Sequence, residues 1–144
     1  MIIEMVAILS CVTFAGAAIY INVVEHPARL ECGTELAATV FGPSYTRAAA
    51  MQASLAIIAT IAGVATGLSG GSLVWYVGAA LTLSVVPFTL IVIMPTNKQL
   101  LAPELDRTST EAATLLKKWG RLHGVRSVAS AIASIIYVYL GVAT

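Results

Sequence analysis

Charged residues are scarce in this sequence. Only 10% of the 144 residues are Asp, Glu, Lys or Arg, whereas 58% are hydrophobic. A soluble protein carries about 25% charged residues, so the composition predicts that most of the surface contacts lipid rather than water. The net charge is only +1, and the chain has no basic tail or stripe of the kind that nucleic-acid-binding proteins carry. We therefore exclude nucleic acid as a partner and expect the lipid bilayer instead.

Motifs for common cofactors and nucleophiles are also missing. The sequence has no P-loop, no GxGxxG, no CxxC or zinc-ligand spacing, and no histidine in a CXXCH haem-attachment motif. Cys11 lies in an apolar run and Cys32 in a polar connection, so we expect no disulfide between them. The amino-terminal run carries Glu4 instead of a positive leader and stays apolar to Val24, which favours a retained membrane span over a signal peptide.

Four apolar segments are long enough to cross a bilayer, which requires about 20 helical residues. We predict helices at about residues 5–24, 45–68, 73–94 and 109–142, because backbone groups in lipid must be hydrogen-bonded within the span. The expected fold is an all-α, antiparallel, integral membrane four-helix bundle, with residues 1–144 as a single transmembrane domain. Small residues recur every fourth position, as in Ala7, Cys11 and Ala15, which favours close helix packing and is compatible with a homo-oligomer.

The connections between these segments predict an orientation in the membrane. Spans two and three are joined by the short, uncharged "SGGS", whereas the connections at 25–44 and 95–118 are long and polar. Seven of the eight Lys and Arg residues lie in or beside the two long connections. The positive-inside rule then places these connections in the cytoplasm and both termini outside an inner or plasma membrane.

Two local patterns predict structure within the long connections. In "TSTE" we expect Thr108 to be the N-cap of a helix with Glu111 at its third position, so that the fourth helix begins near Ser109 and projects into the cytoplasm. Residues 36–41 have the spacing of a short amphipathic helix lying at the interface. Gly42 and Pro43 would then turn the chain into the second span.

Prolines predict further breaks in the helices. Pro27 disfavours helix at the preceding residue, so we expect the first helix to end at His26. Pro87, inside the third span, removes a backbone hydrogen bond and is expected to kink the helix. Trp75 is expected to be an interfacial aromatic residue at the non-cytoplasmic side.

Polar residues converge where alternating topology brings four helix ends to the cytoplasmic side. Ionisable residues on inward faces of membrane helices indicate a functional site, and we predict a pocket there. Simpler interpretations stay open: snorkelling of Arg47 to headgroups, a belt position for Trp119, a structural ion pair between Glu25 and Arg126, and histidines that only join helices. The converging residues are Asn22, Glu25, His26, Tyr45, Arg47, Asn97, Trp119, His123 and Arg126.

These side chains form a chemically coherent set. A neutral histidine can accept a proton near pH 7, and arginine and asparagine can donate to a developing oxyanion in a site shielded from water. Trp119 and Tyr45 can stack on a flat aromatic ligand. The set therefore favours deprotonation of an acidic, planar, apolar substrate that enters from the lipid.

Three segments carry a resemblance to a known family. "EHP" at the end of the first span, "PFTLIVIMPTN" at the end of the third and "WGRLHGVRS" at the start of the fourth resemble the anthrone-oxygenase-like membrane proteins, formerly a domain of unknown function. The resemblance implies oxidation of an anthrone to an anthraquinone by O2 with no cofactor required. It implies a histidine base, either His123 or His26, oxyanion donation by Arg126 and Asn97, and packing of Trp119 against the rings. Asn22, Glu25, Tyr45 and Arg47 are expected to line the substrate pocket.

Two alternative functions stay open from the sequence. One is a metal-dependent redox enzyme with copper or iron held by His26, His123 and Glu25. The other is a non-enzymatic membrane carrier or assembly protein in which the polar cluster only holds the helices together.

Overall fold

Four helices form the computed structural model of this chain, which describes residues 1–143. They are α1 (Ile2–Glu31), α2 (Thr34–Leu68), α3 (Val74–Leu100) and α4 (Thr110–Ala143), and each is long and apolar enough to cross a membrane. The described residues contain no β-strand. At 1.5 Å per residue, α2 and α4 are each about 50 Å long, which exceeds the roughly 30 Å hydrocarbon core. Their ends therefore extend beyond the hydrocarbon layer.

The helices pack as an antiparallel bundle in which neighbours in sequence are neighbours in space. Both α1 and α3 pack along α2 and α4, whereas α2 and α4 touch only slightly across the bundle. Large apolar side chains cover the outer surface, for example Ile61 at 64% and Ile135 at 69% exposure. An outer surface of this kind is stable only in lipid, and the chain is an integral membrane protein.

The core is built in three layers along the bundle. The layer beside the short α2–α3 turn contains Trp75 packed against Tyr137, with ring centroids 5.0 Å apart and ring planes tilted by 32°. The middle layer is small and centres on Phe14 and Val85. The layer at the opposite end is built around Trp119, with Phe41, Ile93, Leu100 and Leu116 among its members.

The structure corrects the predicted position of Trp75. This side chain is 1% exposed and belongs to the core rather than to an interfacial belt. Tyr137 fills the space above Gly63 and Gly78, where any Cβ atom would collide with its ring. These two glycines leave room for the Trp75–Tyr137 pair. The position of Trp75 near the start of a helix does not by itself predict this buried packing site.

The helix ends predicted before Pro27, at His26, and before Pro95, at about residue 94, are wrong. α1 continues through His26 to Glu31 and α3 continues to Leu100. A π-helical turn precedes each proline, Ile21–Glu25 in α1 and Thr89–Ile93 in α3. A π turn widens the helix by one residue, which accommodates a residue that lacks an N–H and crowds the carbonyl four positions earlier.

The predicted interfacial helix at residues 36–41 is part of α2. Gly42 and Pro43 lie inside this 35-residue helix and do not turn the chain. The true turn is Cys32–Gly33, where Gly33 has φ +99°, a value that glycine adopts readily. The connection at 25–44 is therefore a helical hairpin rather than a loop.

The N-cap of α4 also differs from the prediction by one residue. The Ser109 hydroxyl accepts a hydrogen bond from the Ala112 N–H at 3.1 Å, so Ser109 caps the helix that begins at Thr110. Thr108 instead donates its backbone N–H and its hydroxyl to the Asp106 carboxylate, at 2.9 and 2.7 Å. The predicted start of the helix near Ser109 is confirmed, but the predicted capping residue is wrong.

Candidate active site

Trp119 is the centre of the polar cluster. Its indole N–H donates to Asn97 Oδ1 at 2.9 Å. Its ring centroid lies 5.1 Å from that of His26 and 4.8 Å from that of His123. Phe41 meets the indole edge-on, with centroids 5.2 Å apart. The indole is therefore fixed from several sides, and it lies against both histidines.

The hydrogen bonds around His123 define its tautomer. Asn22 Nδ2 donates to the Gly120 carbonyl at 2.9 Å, which orients the Asn22 amide so that Oδ1 faces His123. Nδ1 of His123 lies 2.6 Å from this oxygen and must donate to it, as does the Ser127 hydroxyl at 2.6 Å. A neutral His123 therefore carries its proton on Nδ1. Its Nε2 is left with a free lone pair, and within residues 1–143 that atom makes no hydrogen bond.

His26, the other histidine, is the opposite tautomer. His26 Nε2 lies 3.0 Å from the Leu116 carbonyl, and because a carbonyl only accepts, Nε2 carries the proton. The ring is 5% exposed and packs over Gly120, where a Cβ would lie 2.7 Å from His26 Cδ2. This histidine joins α1 to α4 and is not part of the lining of the cavities described below.

Among residues 1–143, Arg126 is a half-buried cation without an acidic partner. It donates to Gln52 Oε1 at 2.9 Å, and its guanidinium lies 5.7 Å from the centroid of the Phe14 ring. The two ion pairs among residues 1–143 do not involve it. Its Nε and the Nε2 of Gln52 are both buried without a hydrogen-bond partner in the part of the chain that the structure describes. The alternative interpretation of a structural Glu25–Arg126 ion pair is therefore wrong, since Glu25 pairs with Arg29.

Two adjoining cavities lie beside these groups. The first, which we call the histidine cavity, has a volume of about 20 Å³ and is lined by Phe41, Trp119 and His123 among others. The second, the lateral cavity, has a volume of about 170 Å³ and lies between α2 and α3. Its rim includes Leu90, which is 59% exposed on the lipid-facing surface. The two share four lining residues: Tyr45, Ala49, Gln52 and Arg126.

Glu25 takes part in a separate polar group. It is ion-paired with Arg29 on the next turn of α1, and Arg29 also donates to the Ser44 hydroxyl at 2.7 Å. Arg29 is 8% exposed and lines the histidine cavity, whereas Glu25 does not. The sequence identified Arg29 only as a basic residue of a connection, because its burial depends on α1 continuing past Pro27.

Tyr45 and Arg47 lie on opposite faces of α2. Tyr45 stacks on Phe41, with centroids 5.7 Å apart and planes 8° apart, and lines both cavities. Arg47 is exposed and lines a shallow groove on the outer surface with Val40 and Met51. Residues two apart on a helix point about 200° apart, so the structure does not bring Arg47 into the predicted pocket. Its position fits the alternative of a side chain that reaches the headgroups.

The predicted metal ligands do not form a metal site. Nε2 of His26 and Nδ1 of His123 are engaged with Leu116 and Asn22, and the indole of Trp119 packs against both rings. Within residues 1–143, no group of three His, Cys, Asp or Glu side chains is arranged to hold an ion. This donor set does not fit copper or iron.

Gln52 and Ser127 are site residues that the sequence interpretation missed. Gln52 is 1% exposed and lines both cavities. The available signal was a single amide in the apolar run "AAAMQASLAI", which lies further into the predicted span than the polar residues at the helix ends. Ser127 lies four residues beyond His123, on the same face of α4, and this spacing was the signal for it.

Comparison with known proteins adds two findings. Residues 37–136, which include most of α2 and all of α3, match the family model described as Anthrone oxygenase. The chain is also 28% identical to the anthrone oxygenase tpcL of Aspergillus fumigatus over 145 aligned positions, covering 94% of this chain and 90% of that protein. No solved structure shows a significant match.

Proposed function

This chain belongs to the anthrone oxygenase family, and from that premise we propose that it oxidises a planar, apolar, anthrone-like ketone with O2 beside His123. The observation that carries the proposal is the unengaged Nε2 of His123, a residue that lines the same cavity as Arg126, a cation with no carboxylate partner among residues 1–143. A base and a positive charge side by side are what removal of a proton from a carbon acid needs.

His123 is the proposed base, in preference to His26. Its Nδ1–H is held by Asn22, which leaves Nε2 to accept a proton, and the imidazolium that forms stays hydrogen-bonded through Nδ1. His26 has no part in the lining of either cavity and is assigned a structural role. Asn97 is likewise assigned the role of fixing Trp119, since its Oδ1 accepts the indole N–H.

Arg126 is the proposed stabiliser of the substrate anion. Deprotonation of the anthrone methylene makes the central ring aromatic and places negative charge on the former ketone oxygen. An arginine that has no carboxylate partner in the described chain is costly in a membrane domain. An anionic intermediate beside it relieves this cost, so the site favours the anion over the neutral ketone.

The remaining chemistry uses the electrons of the substrate itself. The anion transfers an electron to O2, and the resulting radicals combine to form a carbon–oxygen bond. The peroxide takes the proton that His123 removed. Loss of the second methylene proton with cleavage of the O–O bond then releases water and leaves the quinone. The balance is one anthrone and one O2 to one anthraquinone and one water.

Access from the lipid is proposed through the lateral cavity. An apolar substrate concentrates in the bilayer, and the cavity lies between α2 and α3 with Leu90 at its outer rim. Tyr45, which lines both cavities, would pack against the flat rings. The orientation with the active-site end at the cytoplasmic surface follows from the distribution of Lys and Arg and remains part of this proposal.

A test of the base compares His123→Asn with the wild-type protein in lipid vesicles. An asparagine amide can still donate to Asn22 Oδ1, so the variant keeps the interhelical hydrogen bond but lacks the base. We expect the rate of quinone formation from anthrone, followed by absorbance and O2 uptake, to fall about 10²- to 10⁴-fold. Protein-free vesicles give the rate of spontaneous oxidation, which is subtracted.

Ser130→Ala is the matched control. Ser130 is fully buried on the same helix, and within residues 1–143 its hydroxyl bonds only the Ser127 carbonyl, so its loss should leave the rate within about two-fold. Unchanged activity in His123→Asn would refute His123 as the base. Wild-type protein no faster than empty vesicles would favour the non-enzymatic alternative, and stoichiometric copper or iron in protein purified without added metal would favour the metal-dependent one.

A further inference from the structure

Gln52 lines both cavities and carries a hydrogen-bond donor that is unused within residues 1–143. Its Oε1 accepts from Arg126 at 2.9 Å, which fixes the amide so that Nε2 points away from the guanidinium. That NH2 group has no hydrogen-bond partner among the described residues, although the side chain is only 1% exposed. Arg126 Nε is unpartnered in the same way. Each of these two neighbouring side chains therefore has a buried N–H donor without an acceptor among the described residues.

Buried hydrogen-bond donors without an acceptor are uncommon and lower the stability of the fold. Leaving one unsatisfied costs about 1–3 kcal/mol, and in lipid no bulk water is available to relieve it. Both groups can only donate, so the missing partner is an acceptor atom. Because one of the two donors is cationic, an oxygen that carries or develops negative charge fits better than a neutral ether or ester oxygen.

We propose that Gln52 and Arg126 together bind the ketone oxygen of the substrate and stabilise it as it becomes an enolate oxygen. This inference rests on the proposed function and narrows the substrate class to aryl ketones whose carbonyl is conjugated through the rings to an acidic methylene. When His123 takes the methylene proton, the C–H electron pair enters the ring system and the C=O π pair moves onto the oxygen. No oxidant takes part in this step. Hydrocarbons of the same shape without a carbonyl would not be activated.

The test separates binding from turnover by using xanthone, a flat tricyclic ketone that has no methylene to oxidise. Anthracene, of similar shape but without a carbonyl, is the comparison ligand. In purified wild-type protein in detergent, titration should show that xanthone binds at least about ten-fold more tightly than anthracene. The infrared carbonyl band of carbonyl-¹³C xanthone should lie below its position in an apolar solvent, because donors polarise the C=O bond.

Gln52→Glu is the informative variant. The carboxylate keeps the volume of the side chain and its acceptor oxygen for Arg126, but the donor becomes a second acceptor and the guanidinium gains a counter-charge. Xanthone affinity should fall about ten-fold or more, its carbonyl band should return toward the apolar position, and anthracene affinity should change less than about three-fold. Thr82→Val is the control, since Thr82 is a fully buried polar residue that lines neither cavity.

An unshifted carbonyl band in the wild-type protein overturns the inference, even if Gln52→Glu does not fold. Equal xanthone preference in wild type and a folded Gln52→Glu overturns it as well. Failure of the proposed function gives different results. Either the wild-type protein does not oxidise anthrone, or His123→Asn keeps full activity, and neither outcome changes the xanthone measurements.

Discussion

Substituting Gly120 by alanine tests how the cluster is held together. Gly120 lies on α4 under the ring of His26, and a Cβ there would be 2.7 Å from Cδ2 and 2.8 Å from Nε2. Carbon atoms in contact need about 3.5 Å or more, so the imidazole must move. Because the ring bonds the Leu116 carbonyl through Nε2 and packs on Trp119, it cannot move without disturbing both.

The expected change in the free energy of unfolding combines one stabilising and two destabilising contributions. Alanine in place of glycine favours the helix by about 1 kcal/mol. Overpacking a well-filled core costs about 1–3 kcal/mol, and loss of the buried Nε2–H···O=C hydrogen bond of His26 costs about 1–3 kcal/mol more. The net expectation for Gly120→Ala is a fall in the free energy of unfolding of about 1–5 kcal/mol.

The assay is unfolding in mixed micelles of a mild detergent and SDS, followed by tryptophan fluorescence. Gly124→Ala is the matched control, because its Cβ would meet only Asn22 Nδ2 at 3.7 Å, an ordinary contact one helical turn away. That variant should be neutral or more stable than wild type. In a His26→Ala background the cost of Gly120→Ala should disappear. Equal stability of Gly120→Ala and Gly124→Ala would show that the packing of His26 on α4 is not as described.

Three further predictions concern other contacts. Ser109→Ala should lower the free energy of unfolding by about 0.5–2 kcal/mol, and Thr108→Ala by less, as measured in the same micelles; the reverse order would restore Thr108 as the cap. Hydrogen bonds from the Thr108 hydroxyl and then its backbone N–H lower the pKa of Asp106 from the ordinary 3.8, so the contact should be intact above about pH 4 and be lost as pH falls through the lowered pKa. Amide exchange at Thr108 measured against pH checks this, and a pH-independent rate would contradict it. Asn97→Ala leaves the indole N–H of Trp119 unpaired and should reduce stability by about 1–3 kcal/mol, whereas a folded, fully stable but inactive variant would restore Asn97 to a catalytic role.

The architecture could be predicted from the sequence because lipid imposes simple constraints. Runs of 20 or more apolar residues must be helices, and alternation across the bilayer then brings Asn22, His123 and Arg126 to one end of the bundle. The structure joins Asn22 to His123, across 101 positions of the chain. The sequence therefore predicted that these residues lie at the same end of the bundle. It did not predict which side chains bond to each other, because that depends on the rotation of each helix about its axis.

The ends of the helices were not predictable for a different reason. Rules for proline describe helices in water, where a broken hydrogen bond is replaced by solvent. At Pro27 and Pro95 the helix instead widens to a π turn and continues, since an interrupted helix in lipid would leave more backbone groups unsatisfied. Continuation past Pro27 is what buries Arg29 beside the histidine cavity.

Gln52 shows why charge alone is an incomplete guide to a candidate site in a membrane protein. Ionisable side chains are easy to notice in an apolar sequence. The partly buried guanidinium of Arg126 also needs an oriented hydrogen-bond acceptor, and an amide provides one without cancelling its charge. A carboxylate at position 52 would neutralise Arg126 and remove its attraction for an anion. Glutamine accepts from Arg126 through Oε1 and retains a donor of its own. A neutral acceptor that leaves the cation available is therefore the arrangement that a site for an anionic intermediate requires, and uncharged amides facing buried arginines are where such sites should be sought.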